Sequence, residues 1–376
     1  MSSDVGMGKG VGGIIHKVCR DFCRNEIEPV ALELDSHYDP ERIKAVWVKS
    51  SELELPSMLI PEEYGGVGQS ILTAAQVLEE MAFGCAGVAT LFAYHLAACV
   101  PLSNAGEAQE DIQRLIASNG EKEPMMATIA YPGFEEREDK PRLGKSKGAF
   151  SLSGIAPSVA CAPLADYIIL FLEEDKEGAV SAVVVDTRAE GVYVGEPEEL
   201  LGLHTLPFCD VTFDGCWLAG ENIIAEGDKG ASMMDRTSAA FNGFIAAVAM
   251  GTARSAYIKA YQYAQERYQF GKMIIEHHEI RRFLANMATK LNMGTAGYVR
   301  ALSGETPESP LPGRASGLAK IFCTDAALEI AIDAIQIHGG YGYMKETGLE
   351  KVMRDTKMLQ LLGKSNRLME IELAEA

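Results

Sequence analysis

The chain has 376 residues, 47% of them hydrophobic, enough for a core divided over two or three domains. Acidic residues outnumber basic ones 53 to 34, and the formal charge of -19 repels a phosphate backbone, which argues against a nucleic-acid partner. No apolar run reaches the roughly 18 to 20 residues that cross a bilayer, and MSSDVGMGKGVGG lacks the basic-then-apolar order of a secretory signal, so the expectation is a cytoplasmic protein with no membrane partner.

In chain order, Ile14, Ile15, Val18, Phe22, Ile27, Val30 and Leu32 recur at mostly helical spacing and end in a loop at HYDPE. LPSMLIPEEYGGVG is punctuated by Pro and Gly as a turn region, and residues 70–105 read as two further helices. From about residue 124 the pattern changes to short segments rich in β-branched and aromatic residues: MMATIAY, AFSLSG, DYIILFLEE, AVSAVVVD, GVYVGE and CDVTFDG. With no helices between them, they predict a compact antiparallel barrel or sandwich. Helical periodicity returns over 231 to about 268, and near 276–302, 315–337 and 350–374, with SGETPESPLPG at 303–313 as the one clear linker. The predicted fold class is α+β multi-domain: an N-terminal helical domain (1–120), a middle antiparallel β domain (121–228) and a C-terminal helical bundle (229–376).

The eight cysteines, at 19, 23, 85, 99, 161, 209, 216 and 323, are scattered. Cys19 and Cys23 lie one helical turn apart, but a structural zinc site wants two more ligands at a matching spacing, so no metal is expected and the thiols read as reduced and buried. His95, in FAYHLA, reads as a satisfied core residue, and His277 and His278 beside Glu276 and Glu279 as a solvated polar face. Asp235 and Arg236 are candidates for contact with an anionic ligand, although adjacent helical residues point in different directions.

Two stretches carry more chemistry. AIDAIQIHGGYGY, 331–343, is an apolar helical run ending in Gln336, His338, Gly339 and Gly340; it is either a glycine C-cap with a tight turn or a corner that another group approaches closely. RYQFGK, 267–272, puts a forked guanidinium, an aromatic ring and a glycine together at the end of a helix, a sensible dinucleotide contact.

Taken with MRD at Met353 to Asp355, these segments resemble the acyl-CoA dehydrogenase family, from PEEYGGVG to the C-terminus. The resemblance implies FAD as cofactor, an acyl-CoA or other acyl thioester as substrate, a homo- or hetero-oligomer with a paralogous subunit, and an electron-transfer flavoprotein as one electron acceptor. It assigns cofactor contacts to Arg267, Phe270, Gly271, Gln336, Gly339 and Gly340, in segments that in the family reach the FAD of a neighbouring subunit.

The resemblance also shows losses. The family base, a Glu following the MRD-type motif, falls on Gly363; the alternative base on the first helix of the bundle falls on Phe241, followed by Asn242 in place of Arg. The strand that hydrogen bonds flavin reads Ala130, Tyr131, Pro132, and the segment that packs on the flavin ring reads Ser158, Val159, Ala160. The catalytic residue is therefore unassigned. The expected function is an acyl-CoA dehydrogenase-type oxidoreductase subunit giving half of an FAD site to a related partner. Two alternatives stand beside it: a stand-alone enzyme with a base placed elsewhere, and a flavin-free acyl-thioester binding or scaffold protein.

Overall fold

The structure is a computed structural model describing residues 11–105, 109–118, 124–131, 138–146, 149–174, 176, 178–303 and 313–375. Its first part is helical: α1 (Val11–Phe22), α2 (Ala31–Ser36), α3 (Pro40–Ser51), α4 (Ile71–Gly84), α5 (Ala86–Asn104) and α6 (Glu110–Ile116). Local chemistry sets the starts. Asp39 accepts the Arg42 amide at 3.1 Å with Pro40 at the first helical position, and Ser70 accepts the Thr73 amide at 3.1 Å. α5 corrects the reading that nothing is long and apolar enough for a membrane span: its 19 residues with hydropathy 1.4 meet that test by length and composition. In the fold, 94% of that window is buried inside the protein, as befits a helix apolar on all faces.

The middle part holds β1 (Ala127–Ala130), β2 (Arg142–Ser146), β3 (Ala149–Ala160), β4 (Tyr167–Glu173), β5 (Val180–Asp186), β6 (Val192–Val194), β7 (Phe208–Leu218) and β8 (Ile223–Ala225). They form two four-stranded sheets, β1-β4-β5-β8 and β2-β3-β7-β6. All pairings are antiparallel except β1 with β4, where Ala127 to Ala130 run alongside Tyr167 to Leu170 in parallel. β2 and β8 were not anticipated. RLGKS and IIA are too short and too polar or too brief to show a period, and only pairing with a neighbour makes them strands. Leu152, Val159, Ile168, Leu170, Val183, Val211 and Phe213 fill a separate apolar core in this region.

The last part is a bundle built on α7 (Gly227–Glu266), with α8 (His278–Leu302), α9 (Arg314–His338), α10 (Leu349–Leu359) and α11 (Asn366–Glu375). A two-residue hairpin, β9 (Tyr268–Gln269) and β10 (Lys272–Met273), joins α7 to α8. α7 packs on α9, α4, α5 and α8, and its alanines allow close approach. At Gly251 a β-carbon would stand 2.0 Å from the Glu79 carbonyl oxygen, so α4 and α7 could not meet there with any other residue. The single helix expected at 350–374 is in fact two, broken over 360–365 where Gly363 takes φ +66°. Most of the 303–313 linker lies outside the described residues.

The MRD segment ties the β region to the bundle. Asp355 accepts the Leu203 amide at 2.7 Å and pairs with buried Lys351, while Arg354 reaches Asp35 at 2.6 Å and the Leu201 carbonyl at 3.1 Å. Burial alone would lower the Lys351 pKa, but Asp355 beside it raises it overall. His95 is the core residue expected: its Nε2 donates to the Pro56 carbonyl at 2.9 Å and its Nδ1 accepts the Ala127 amide at 3.0 Å. Burial lowers its pKa from 6.5 to about 4, so the ring is neutral. All eight cysteines are buried free thiols.

Candidate functional site: two cavities

The first cavity, about 680 Å³, lies between the β region and the bundle. α7 contributes Asp235, Ser238, Ala239 and Asn242 at spacings of three and four, so one helical face supplies them all. Tyr131 and Glu173 come from the β region, Arg314 and Gly317 from the start of α9, Gly363 and Lys364 from the 360–365 loop, and Met369 and Glu372 from α11.

Both sequence-assigned base positions are here, and they touch. The Phe241 ring, 1% exposed, packs over Gly363 so closely that a β-carbon there would meet it at 3.1 Å. Phe241 lies 4.6 Å from Tyr94 and 6.4 Å from Tyr131, and Tyr131 stacks on Phe171 at 5.8 Å. The Tyr131 Oη is enclosed beside Ser238, and burial pushes its pKa up, so it stays a protonated phenol.

α9 fixes the loop that carries Gly363. Lys320 donates to the Lys364 carbonyl, Asn366 donates to Thr324 at 2.8 Å and Asp325 at 2.9 Å, and Gln360 donates to Asp325 at 2.6 Å. Burial lowers the Lys320 pKa to about 7. Among charged residues of the cavity wall, Glu173 pairs with Lys140 and Glu372 with Lys364, each at 2.6 Å. Burial raises the Asp235 pKa from 3.8. Its neighbour Arg236 turns away to Asn104 at 2.9 Å.

Ala130 and Ser158 to Ala160 have been absorbed into the sheets. Ala130 is buried at the end of β1; Val159 and Ala160 pair with Cys209 and Phe208; the Ser158 amide donates to Asp210 at 3.0 Å.

The second cavity, about 830 Å³, is an open cleft on the bundle. It gathers Arg267, Phe270, Gly339 and Gly340 on one wall system; Gly271 and Gln336 are exposed beside it and do not line it. The Arg267 guanidinium lies 5.8 Å from the Tyr341 ring centre, and Tyr263 stacks on His338 at 4.2 Å. Phe270 and Gly271 form the turn of the β9–β10 hairpin with φ +53° and +82°. Positive φ at both central positions is the mirror-image turn that two-residue hairpins favour, and a bulky residue at its first position is strained. The Phe270 ring is 91% exposed.

His277 and His278, read from sequence as a solvated face, line this cleft, with His277 edge-on to Phe270 at 6.3 Å. The stripe 235, 238, 239, 242 could have been found from its helical spacing. The part of α11 and of His277 could not, because only the fold brings them there.

The cleft fits one end of a dinucleotide: a guanidinium for pyrophosphate, an exposed ring, and two glycines at which an added β-carbon meets nothing within 4 Å. The first cavity presents hydroxyl, phenol and aromatic groups but no carboxylate at either expected base position.

Comparison with known proteins agrees with this architecture. Residues 14–114 match the acyl-CoA dehydrogenase N-terminal domain and residues 229–376 the acyl-CoA dehydrogenase C-terminal domain. A 3-(aryl)acrylate reductase of Clostridium sporogenes is 29% identical over 96% of this chain and 97% of its own. A cyclohex-1-ene-1-carbonyl-CoA dehydrogenase of Geobacter metallireducens is 31% identical over 93% of each chain. The structure of butyryl-CoA dehydrogenase from Megasphaera elsdenii superposes with a TM-score of 0.87 at 25% identity, covering 99% of both chains. Members of this family are FAD flavoproteins. With both terminal domains matched and a 31% identical relative aligned over nearly its whole length, the chain belongs to the acyl-CoA dehydrogenase family of oxidoreductases acting on CH–CH bonds.

Proposed function

We propose that the chain is a subunit of a flavin-dependent acyl-CoA dehydrogenase assembly, supplying half of an FAD site to a related partner subunit that carries the catalytic base. The observation that carries the reading is the contrast between the two cavities. In the first, Phe241 packs against side-chain-free Gly363, and no group at either position can take a proton from the carbon α to a thioester carbonyl. In the second, Arg267, Phe270, Gly339 and Gly340 stay together on an open face, and Phe270 keeps its ring in solvent at the expense of a strained backbone. Bound FAD would supply the redox chemistry. Arg267 would pair with pyrophosphate oxygens, and the two glycines would let the dinucleotide approach the backbone. The substrate class is an acyl-CoA or other acyl thioester, with an electron-transfer flavoprotein as the electron partner.

The test is an FAD titration of the assembled complex. Arg267→Ala should weaken FAD binding by about 10- to 100-fold, through loss of charge-assisted hydrogen bonds worth about 1.5 to 3 kcal/mol. Equal affinity of mutant and native assemblies would mean that the cleft holds no pyrophosphate.

A stand-alone enzyme is the second reading, and Asp235 favours it. This carboxylate lines the first cavity, and burial holds its pKa above the usual range, the direction a general base needs. On that reading Asp235→Asn abolishes turnover by the pure chain. On the half-site reading there is little turnover to lose.

A further inference from the structure

We infer that Lys320 is a positioning residue that keeps the 360–366 loop seated only while it is uncharged, so that uptake of one proton by Lys320 frees the loop and, with it, the Gly363 wall of the first cavity. This goes beyond the half-site reading and does not depend on it, because it concerns neither FAD nor the second cavity.

Two buried lysines of the bundle show the contrast. Lys351 lies against the Asp355 carboxylate, which holds the proton on its ammonium. Lys320, 0% exposed on α9, pairs with no carboxylate among the described residues; its Nζ donates to the Lys364 carbonyl and touches the Met369 sulfur at 3.8 Å. An ammonium has three hydrogens to place, a neutral amine two and a lone pair. With one oxygen and one weakly accepting thioether at hand, the amine is nearly satisfied and the ammonium is not. A charge buried without its counter-charge costs so much that the group gives up its proton instead, and burial accordingly lowers the Lys320 pKa from 10.5 to about 7.

Lys320 holds a wall of the cavity. The carbonyl it bonds belongs to the residue after Gly363, which turns the loop at φ +66° under the Phe241 ring, and both Gly363 and Lys364 line the cavity. The loop and Met369 of α11 close over Nζ, so Lys320 reaches water when that segment lifts. Around it, α9 contributes Asp325, already occupied by Gln360 at 2.6 Å and Asn366 at 2.9 Å; the loop and α11 contribute Lys364 and Glu372, paired at 2.6 Å; α10 contributes Lys357, on Gln360 at 2.8 Å; and α7 contributes Asp235 across the cavity. With the loop lifted the lysine regains its ordinary 10.5, and with the loop seated it stands at about 7. Between these values the open form binds one proton more than the closed form, so opening grows more favourable as pH falls, about tenfold per unit, and levels off below about 7.

Hydrogen–deuterium exchange of the intact chain, read by mass spectrometry on peptides covering 360–366 and corrected for the intrinsic pH dependence of amide exchange, measures the opening. The expected result is an open fraction that rises about tenfold per unit from about pH 9 to about pH 7 and is level below, while a peptide from the middle of α7 stays far better protected throughout. Lys320→Met, which keeps the length without a titrating group, and Lys320→Gln, which keeps an N–H for the Lys364 carbonyl, should each give a flat profile whatever its level. These chains also report what Asp235, Asp325, Lys357, Lys364 and Glu372 contribute. The native profile decides the matter even where a variant fails to fold. A flat native profile, a slope that persists in both variants, or an α7 peptide that opens together with the loop would overturn the inference. None of these outcomes bears on FAD in the second cavity.

Discussion

The Phe241 ring stands where a side chain at position 363 would grow: a β-carbon on Gly363 would lie 3.1 Å from Phe241 Cε1 and 3.2 Å from Cδ1. The two positions to which the resemblance assigns a base are thus packed against each other. A side chain at 363 would press on the ring at 241, which would have to give by a few tenths of an ångström.

Gly363→Glu alone therefore should not create a dehydrogenase. Position 363 also sits at φ +66°, so the substitution adds backbone strain to the clash and should cost about 2 to 4 kcal/mol of stability. Urea unfolding measures the loss. Dye-linked turnover of butyryl-CoA should stay near background, because a misplaced general base commonly forfeits about 10² to 10⁴ in rate and the flavin contacts that Ala130 and Ser158 to Ala160 replace would still be missing.

Phe270→Asn should separate stability from binding. Asparagine accepts φ +53° far better than phenylalanine, and the Phe270 ring is almost wholly in solvent, so the variant should gain up to about 1 kcal/mol in thermal unfolding. FAD affinity of the assembled complex should fall at the same time. A loss of stability would show instead that the ring is held by contacts within the chain.

Asp355→Ala should be among the most damaging single changes. It leaves Lys351 buried without its partner and the Leu203 amide without its acceptor, and breaking a buried pair costs about 3 to 5 kcal/mol. Chemical denaturation should show this loss without any direct change at either cavity.

His95 predicts a pH dependence. Its pKa falls from 6.5 to about 4 on folding because burial disfavours the charged ring. Between those values the unfolded chain binds more protons than the folded one, so stability falls as pH falls from 6.5 to 4, by about 3 kcal/mol in all. A His95→Gln chain, less stable at pH 7, should show a correspondingly shallower fall in urea midpoints over that range.

The order of helices, strands and bundle was legible because periodicity of 3.6 and runs of β-branched residues are local signals, as in Ile168 to Leu172 or Ala246 to Ala249. β2, β8 and the break at Gly363 were not, since pairing and loop anchoring by Lys320 and Asn366 come from residues far away in sequence. In the second cavity RYQFGK and HGG were visible as motifs, but Gln336 and Gly271 fell off the wall while His277 and Tyr341 joined it. Phe241 and Gly363 were read from the sequence, residue by residue, as the positions to which the resemblance assigns a base. That these two positions pack on each other is a fact of the fold.

The most direct measurement is the FAD content of the pure chain against that of the chain co-expressed with a paralogous acyl-CoA dehydrogenase subunit. The half-site account predicts a colourless chain alone, and FAD at the level of the shared sites in the joint assembly, lost again on Arg267→Ala. A yellow assembly of this chain alone, holding one FAD per chain, would contradict it.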